Sequence, residues 1–317
     1  MNIFGGAKEH NLVSEMQKKN RVFLYVLHFL GKQWCVIVDF FVLLQCFFKC
    51  KAMDGYSESW DPARRVRWIH MDCVDSTNSF LQAYTPTGDE LLIVATAAYQ
   101  TAGRGQGSNK WESEAGSNVT MSVLSSGCGV KAGSAFLLSM AGALAVKRGI
   151  EALNDEIRER GLRVKWPNDI YWGDDKVSGT LIESKIGGEL VKRVVFGIGI
   201  NVNQKRFHSD APNPLSLCQI VGHEWNREEV MKSVVDELWK LLKTLSDGDH
   251  KSVRTAYLEA LYRREGYHAY ADENGTFQAE TAGLTDEGRL LLRREDGSLR
   301  AYGLKEVRFL IEKELNN

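Results

Sequence analysis

Short apolar runs alternate with glycine-rich and polar turns along most of the chain, and long helical periods are few. Residues 66–70 predict a short strand, and the apolar, β-rich run 91–97 a buried one. Between them, Asp75-Ser76-Thr77-Asn78 supplies side chains that cap free backbone N–H groups, and Phe80, Leu81 and Tyr84 follow at helical spacing. Beyond the glycine-dense loop 103–107, a strand is expected over 119–124. A helix is expected over 132–150, where Leu137, Met140, Ala141, Leu144 and Ala145 share one face. A strand over 163–166 stops at Pro167, and runs 170–172 and 177–183 flank the turn Gly173-Asp174-Asp175 as a hairpin. One more buried strand, 194–200, precedes helices over 228–245 and 253–262. Strands that mostly succeed one another predict an α+β fold, a mixed sheet flanked by helices, and not a doubly wound parallel sheet.

The texture changes at both ends. From residue 265 onward, short alternating runs are punctuated by Glu273-Asn274-Gly275, Asp286-Glu287-Gly288 and Asp296-Gly297, the signature of a small antiparallel barrel. At the other end, residues 22–48 form the most hydrophobic stretch, long enough to span a bilayer. Lys32, Gln33 and Asp39 in its middle oppose a membrane helix, at about 2.5–3.5 kcal/mol per buried charge. A cleaved signal peptide fits poorly, because the apolar region is too long and no small-x-small site follows. A start at Met53, an anchoring segment and a packed accessory helix remain open. The expected division is a hydrophobic extension over 1–60, a catalytic domain over 61–262 and a small β-domain over 263–317.

Composition narrows the function. Forty Lys+Arg against 41 Asp+Glu leave a net charge of -1, so nucleic acid is not the expected partner. No helix-turn-helix pattern with a basic recognition helix precedes the core. The six cysteines lack zinc-finger spacing and read as reduced thiols of a cytoplasmic protein.

Three segments carry candidate chemistry. In Gly103-Arg104-Gly105-Gln106-Gly107-Ser108-Asn109-Lys110-Trp111, glycines let the backbone turn tightly and bring N–H donors near an anion. Arg104 adds a planar donor set, and Trp111 a face for a base. The pattern is neither Walker A nor a dinucleotide fingerprint, and a plain turn is the alternative. Lys165-Trp166-Pro167-Asn168-Asp169, with Lys176 beyond, is a polar corner at a strand end, or ordinary turn chemistry. In Gly197-Ile198-Gly199-Ile200-Asn201-Val202-Asn203, strand glycines mark either close approach of a ligand or a bulge.

Taken together and in this order, Asp75 to Asn78, Gln100-Thr101-Ala102-Gly103-Arg104-Gly105, Lys165 to Asp169, Lys176 and Gly199-Ile200-Asn201 closely resemble the biotin protein ligase family. The resemblance covers about residues 66 to 312. It implies a class II aminoacyl-tRNA synthetase-like sheet followed by an SH3-like barrel. It also implies that biotin is activated with ATP and Mg²⁺ and passed to a lysine of a biotin carboxyl carrier domain. It puts biotin at Ser76, Thr77, Asn78, Gln100, Arg104, Gly105, Gln106 and Lys176, and the adenylate at Gly103, Trp111, Asn168 and Asn201. Lys176 and Arg104 are expected to stabilise phosphoryl charge, with Asp169 orienting or deprotonating the acceptor lysine. No metal site is expected from the protein itself, and the oligomeric state stays open between monomer and homodimer. The chain departs from many bacterial members in having Gln106 and Asn109 where they carry basic residues, which bears on adenylate retention. Lipoyl or octanoyl transfer, and non-catalytic biotin sensing, are the competing functions.

Overall fold

The computed structural model describes residues 56–208 and 213–311; the hydrophobic stretch 22–48 lies outside them. The first sheet contains β1 (Tyr56–Asp61), β2 (Val66–Val74), β3 (Leu92–Gln100), β4 (Val119–Ser126), β5 (Arg163–Lys165), β6 (Asp169–Trp172), β7 (Asp175–Gly187) and β8 (Leu190–Ile200). Their order across the sheet is β1-β2-β3-β4-β8-β7-β6-β5. Only β2 and β3 pair in parallel; every other neighbouring pair is antiparallel. The sheet is therefore mixed, as the succession of strands implied.

Among the described residues six α-helices are interspersed: α1 (Thr77–Ala83), α2 (Phe136–Glu151), α3 (Asp155–Arg160), α4 (Leu217–Val221), α5 (Arg227–Ser246) and α6 (His250–Ala260). Ser76 caps α1 by accepting from Ser79 N–H, and Asn154, Asn226 and Asp249 cap α3, α5 and α6. α2 is buried nearly all round, because it lies between the sheet and helices α5 and α6. Gly149 permits that approach: a Cβ there would lie 2.7 Å from the Val234 Cα. Gly149→Ala must push two backbones apart, so we expect a loss of about 1–3 kcal/mol. A urea midpoint unchanged from wild type would show that the crossing yields.

One expectation changes here. Residues 56–60 were assigned to the extension, yet they pair with β2 from Tyr56 opposite Met71 to Asp61 opposite Val66. This edge strand is polar and exposed, so no buried run advertised it. Cys128 and Cys218 are free and buried.

The second sheet, β9 (His268–Asp272), β10 (Gly275–Leu284), β11 (Leu290–Arg294), β12 (Leu299–Tyr302) and β13 (Arg308–Phe309), is antiparallel in the order β12-β11-β10-β9-β13. Where a barrel was expected, no ladder joins β12 to β13 among the described residues. The sheet's outer strands are short, at four and two residues. Tyr270, Phe277, Tyr302 and Phe309 stack into its core. The sheet docks firmly on the larger one. Gly288 packs so closely on Phe136 that a Cβ would fall 2.0 Å from the ring, and its carbonyl accepts from Trp166 Nε1 at 2.9 Å. Arg254 donates to the Leu284 carbonyl at 2.6 Å.

Candidate active site

Strand alternation creates the floor of the site. Met121, Val123, Phe196 and Ile198 point into the main core, so Ser122, Gly197 and Gly199 turn to the opposite face of the sheet. Leu181 pairs with Gly197 and Gly179 with Gly199, which puts Gly179 and Glu183 on that face too. The register runs without a shift through the Gly197 and Gly199 pairings. These glycines are therefore not a bulge; they admit close neighbours. A Cβ on Gly199 would sit 2.2 Å from Trp111 Cε2, and one on Gly179 would sit 3.1 Å from Trp111 Cζ3. A Cβ on Gly197 would lie 3.1 Å from Asn78 Oδ1. The buried atoms Asn78 Oδ1 and Trp111 Nε1 have no hydrogen-bond partner, and such groups favour a ligand that can supply one.

At one end of this floor the start of α1 gathers polar groups. Thr77 N–H donates to Gln100 Oε1 at 2.8 Å, and the Thr77 hydroxyl lies 3.1 Å from that oxygen and 2.8 Å from Ser122 Oγ. Asn78 Nδ2 donates to Glu183 Oε2. Arg104 grips the same carboxylate with both terminal nitrogens, at 3.2 and 2.9 Å, a fork geometry that fixes orientation as well as distance. The arginine is still 43% exposed along its side chain, so solvent screens the pair.

The glycine loop is a small hairpin. Gly105 N–H donates to the Asn109 carbonyl at 2.8 Å and Trp111 N–H to the Gly103 carbonyl at 3.1 Å. Gly107 at its tip has φ +65, a conformation side chains resist. Gly103 must also be small, since a Cβ would fall 2.6 Å from the Trp111 carbonyl oxygen.

Lys176 is held at the other end. Its N–H donates to the Asn213 carbonyl at 2.7 Å, and its carbonyl accepts from Leu215 N–H at 2.9 Å and from Asn201 Nδ2 at 3.4 Å. With the backbone clamped, Nζ lies 2.6 Å from Asp169 Oδ2. The same ammonium would be 3.2 Å from a Cβ on Gly179, so Lys176 and Trp111 share one glycine. Burial, helped by the Asp169 charge, pushes the nearby Tyr171 phenol up to about 12. It stays protonated at neutral pH and is no base there.

Of the residues singled out in the sequence, Thr77, Asn78, Gln100 and Arg104 meet in one polar cluster, with Ser76 next to them capping α1, while Trp111, Asp169 and Asn201 gather around Lys176. Two do not join. Gln106 is exposed, and only its carbonyl is engaged, by Asn109 N–H. The Asn168 amide donates to Ser139 on α2 at 3.2 Å. Sequence reasoning missed Ser122 and Glu183, although the alternation that carries Gly179 also carries Glu183 to the site face.

The model of the Biotin/lipoate A/B protein ligase family matches residues 70–201. The "Bifunctional ligase/repressor BirA" of Bacillus subtilis is 30% identical over 240 residues, 74% of this chain and 71% of that protein. The "Biotin–[acetyl-CoA-carboxylase] ligase" of Paracoccus denitrificans is 30% identical over 237 residues, 70% of this chain and 92% of its own. The chain belongs to the biotin protein ligase family. Among solved structures, the Aquifex aeolicus biotin protein ligase in complex with biotin and ATP superposes with a TM-score of 0.63. It is 26% identical and covers 77% of this chain and 99% of that one. For a member of this family, the polar cluster at α1 and the Lys176–Asp169 pair are the parts whose chemistry needs explaining.

Proposed function

We propose that this chain joins biotin to AMP on the glycine floor and then passes the biotinyl group to a lysine of a carboxyl carrier domain. One observation carries the reading: a neutral hydrogen-bonding cluster and a clamped ammonium flank a strip of strand glycines, with an indole lying across it. The cluster of Thr77, Asn78, Gln100 and Ser122 suits an uncharged cyclic urea, and Asn78 Oδ1 awaits a donor. Ser76, Gly105 and Gln106 are placed on the biotin side by the family resemblance. Gly103, Trp111, Asn168 and Asn201 are placed on the nucleotide side in the same way.

In the first step a biotin carboxylate oxygen attacks the α-phosphorus, an O–P bond forms, and pyrophosphate leaves with the electrons of the broken P–O bond. Charge grows on the phosphoryl oxygens, and Lys176 is aimed to meet it. Among the described residues no three acidic, cysteine or histidine side chains converge as metal ligands. Magnesium would be carried in by the ATP phosphates, and Asp169, beside Lys176 Nζ, would be the carboxylate to hold it. Such an ion would offset phosphoryl charge.

In the second step the acceptor amine attacks the acyl carbon and AMP departs. The amine must first lose a proton, since free lysine has a pKa of about 10.4. Asp169 is paired with Lys176 at 2.6 Å, so its availability depends on Lys176 turning to the phosphate. Exchange of one ammonium for another at Asp169 then couples adenylate formation to acceptance of the carrier lysine. The competing lipoyl or octanoyl transfer is tested by offering biotin, lipoic acid and octanoic acid in turn with ATP. Adenylate from biotin alone supports the reading, and adenylate from the fatty acids alone overturns it.

Two further results are expected. Gly199→Ala displaces the Trp111 ring and should raise the KM for ATP about tenfold or more, the scale of a lost aromatic stack, with the KM for biotin less affected. Equal changes in both would show that Trp111 does not serve the nucleotide. Residues 1–52 are proposed to stand outside the catalytic fold, and a chain starting at Met53 keeps every strand and helix described. It should be as soluble and active as the full chain; aggregated or inactive protein would mean that the segment packs on the fold. No helix among the described residues is long and apolar enough to cross a membrane.

A further inference from the structure

The glycine hairpin carries its charge only at its base. Arg104 and Lys110 face each other there as bridge partners, and Arg104 is engaged by Glu183. The tip, Gly105-Gln106-Gly107-Ser108-Asn109, is uncharged. An anion covered by that tip would meet backbone donors and no cation of the loop's own. A cation reaches the tip from the second sheet instead: a Cβ on Gly107 would lie 2.9 Å from Lys305 Nζ.

Lys305 sits in the connection between β12 and β13. Glu306 N–H donates to the Gly303 carbonyl at 3.1 Å, which makes Leu304 and Lys305 the central residues of a turn. Lys305 has φ +66, and a positive φ at the third position of a turn is the place for glycine or asparagine. A lysine held there conflicts with local preference, and such conflicts gather at functional positions. The neighbouring carboxylates are already paired. Glu306 meets Arg289 at 2.7 Å, Asp272 meets Arg294 at 2.8 Å and Arg300 at 3.1 Å, and Glu273 meets Arg300 at 2.9 Å. Among the described residues Lys305 has no acidic partner. Its turn cannot drift far, because the sheet is pinned to the catalytic fold through Gly288, Phe136 and Trp166.

We propose that Lys305 is a positioning residue for the acyl-adenylate: its ammonium draws the uncharged loop tip closed over the phosphoryl group and slows escape of the intermediate. The proposal rests on the biotin-adenylating reading of the site. It makes retention depend on the second sheet, while bond formation depends on Lys176.

The full chain is loaded with biotin, ATP and Mg²⁺ without acceptor, separated from free small molecules, and followed for release of biotinyl-AMP by mass spectrometry. Lys305→Gly removes the charge and also relaxes the turn. We expect it to raise the thermal midpoint while speeding adenylate release about ten- to a hundredfold, the scale of one charge-assisted hydrogen bond. Pyrophosphate formation in the first turnover should change less than about threefold, and Lys305→Arg should restore retention. A residue that merely supported the fold would move stability and retention in the same direction. Wild-type release from Lys305→Gly would overturn the proposal, as would failure of arginine to rescue. Unchanged release with a raised KM for the carrier domain would also overturn it and assign Lys305 to docking. Absence of biotinyl-AMP from the wild type would overturn the ligase reading first, and this proposal with it.

Discussion

Lys176→Ala is expected to slow biotinyl-AMP formation by about 100- to 1000-fold, the usual loss when one aimed, charge-stabilising donor is removed. The backbone of Lys176 is clamped by Asn213, Leu215 and Asn201, so its side chain starts from a fixed point and has only to turn from Asp169 toward the phosphoryl group. Its partner Asp169 is 27% exposed along its side chain and can be rehydrated when the lysine is lost, so the variant should fold. The effect should appear in kcat for pyrophosphate release, with a smaller change in the KM for biotin, because the charge it opposes develops in the transition state. Near-normal pyrophosphate release from folded Lys176→Ala would remove Lys176 from the chemistry.

Arg104→Gly should behave in the opposite way. The arginine anchors the loop base to Glu183 through two hydrogen bonds, and it stands away from the Lys176–Asp169 pair. Without it the loop loses its tie to the sheet, while Lys176, the proposed phosphoryl-stabilising group, is untouched. We expect biotinyl-AMP to form at a rate within about tenfold of wild type but to leave about tenfold faster or more, the scale of charge-assisted bonds lost from a partly exposed site. Released adenylate then acylates lysines on bystander proteins. Mass spectrometry of a bystander incubated with biotin, ATP and each enzyme form reads this directly. Bystander labelling at the wild-type level, with carrier labelling reduced, would show that Arg104 serves biotin binding or the chemical step instead of retention.

Much of this arrangement was legible in the sequence, for reasons that differ by residue. The α1 cap at Ser76, the buried strands around Val94 and Phe196, and the hairpin at Gly173 follow from local patterns that tertiary packing did not override. The edge strand at Tyr56 did not, because its residues face solvent and carry no buried period. The second sheet's turns were readable from glycine and asparagine, whereas the order of its strands was not, since that depends on pairings between residues far apart in the chain. Site residues were found where a motif placed them and missed where only the register did. Glu183 joins the polar cluster because the β7–β8 pairing carries it to the face of Gly197, and no run of neighbouring residues announces that. Gln106 and Asn168 show the reverse: they belong to the motifs, yet their side chains are turned away from the cluster in this structure.

The central claim, that this face adenylates biotin, is tested most directly by a single-turnover measurement. Enzyme in excess over radiolabelled biotin is mixed with ATP and Mg²⁺, and the labelled products are separated before and after addition of a biotin carboxyl carrier domain. The account predicts biotinyl-AMP with one pyrophosphate per adenylate, followed by transfer of the label to one carrier lysine with release of AMP. Labelled biotin that stays unmodified, with ATP intact and the enzyme folded, would contradict it.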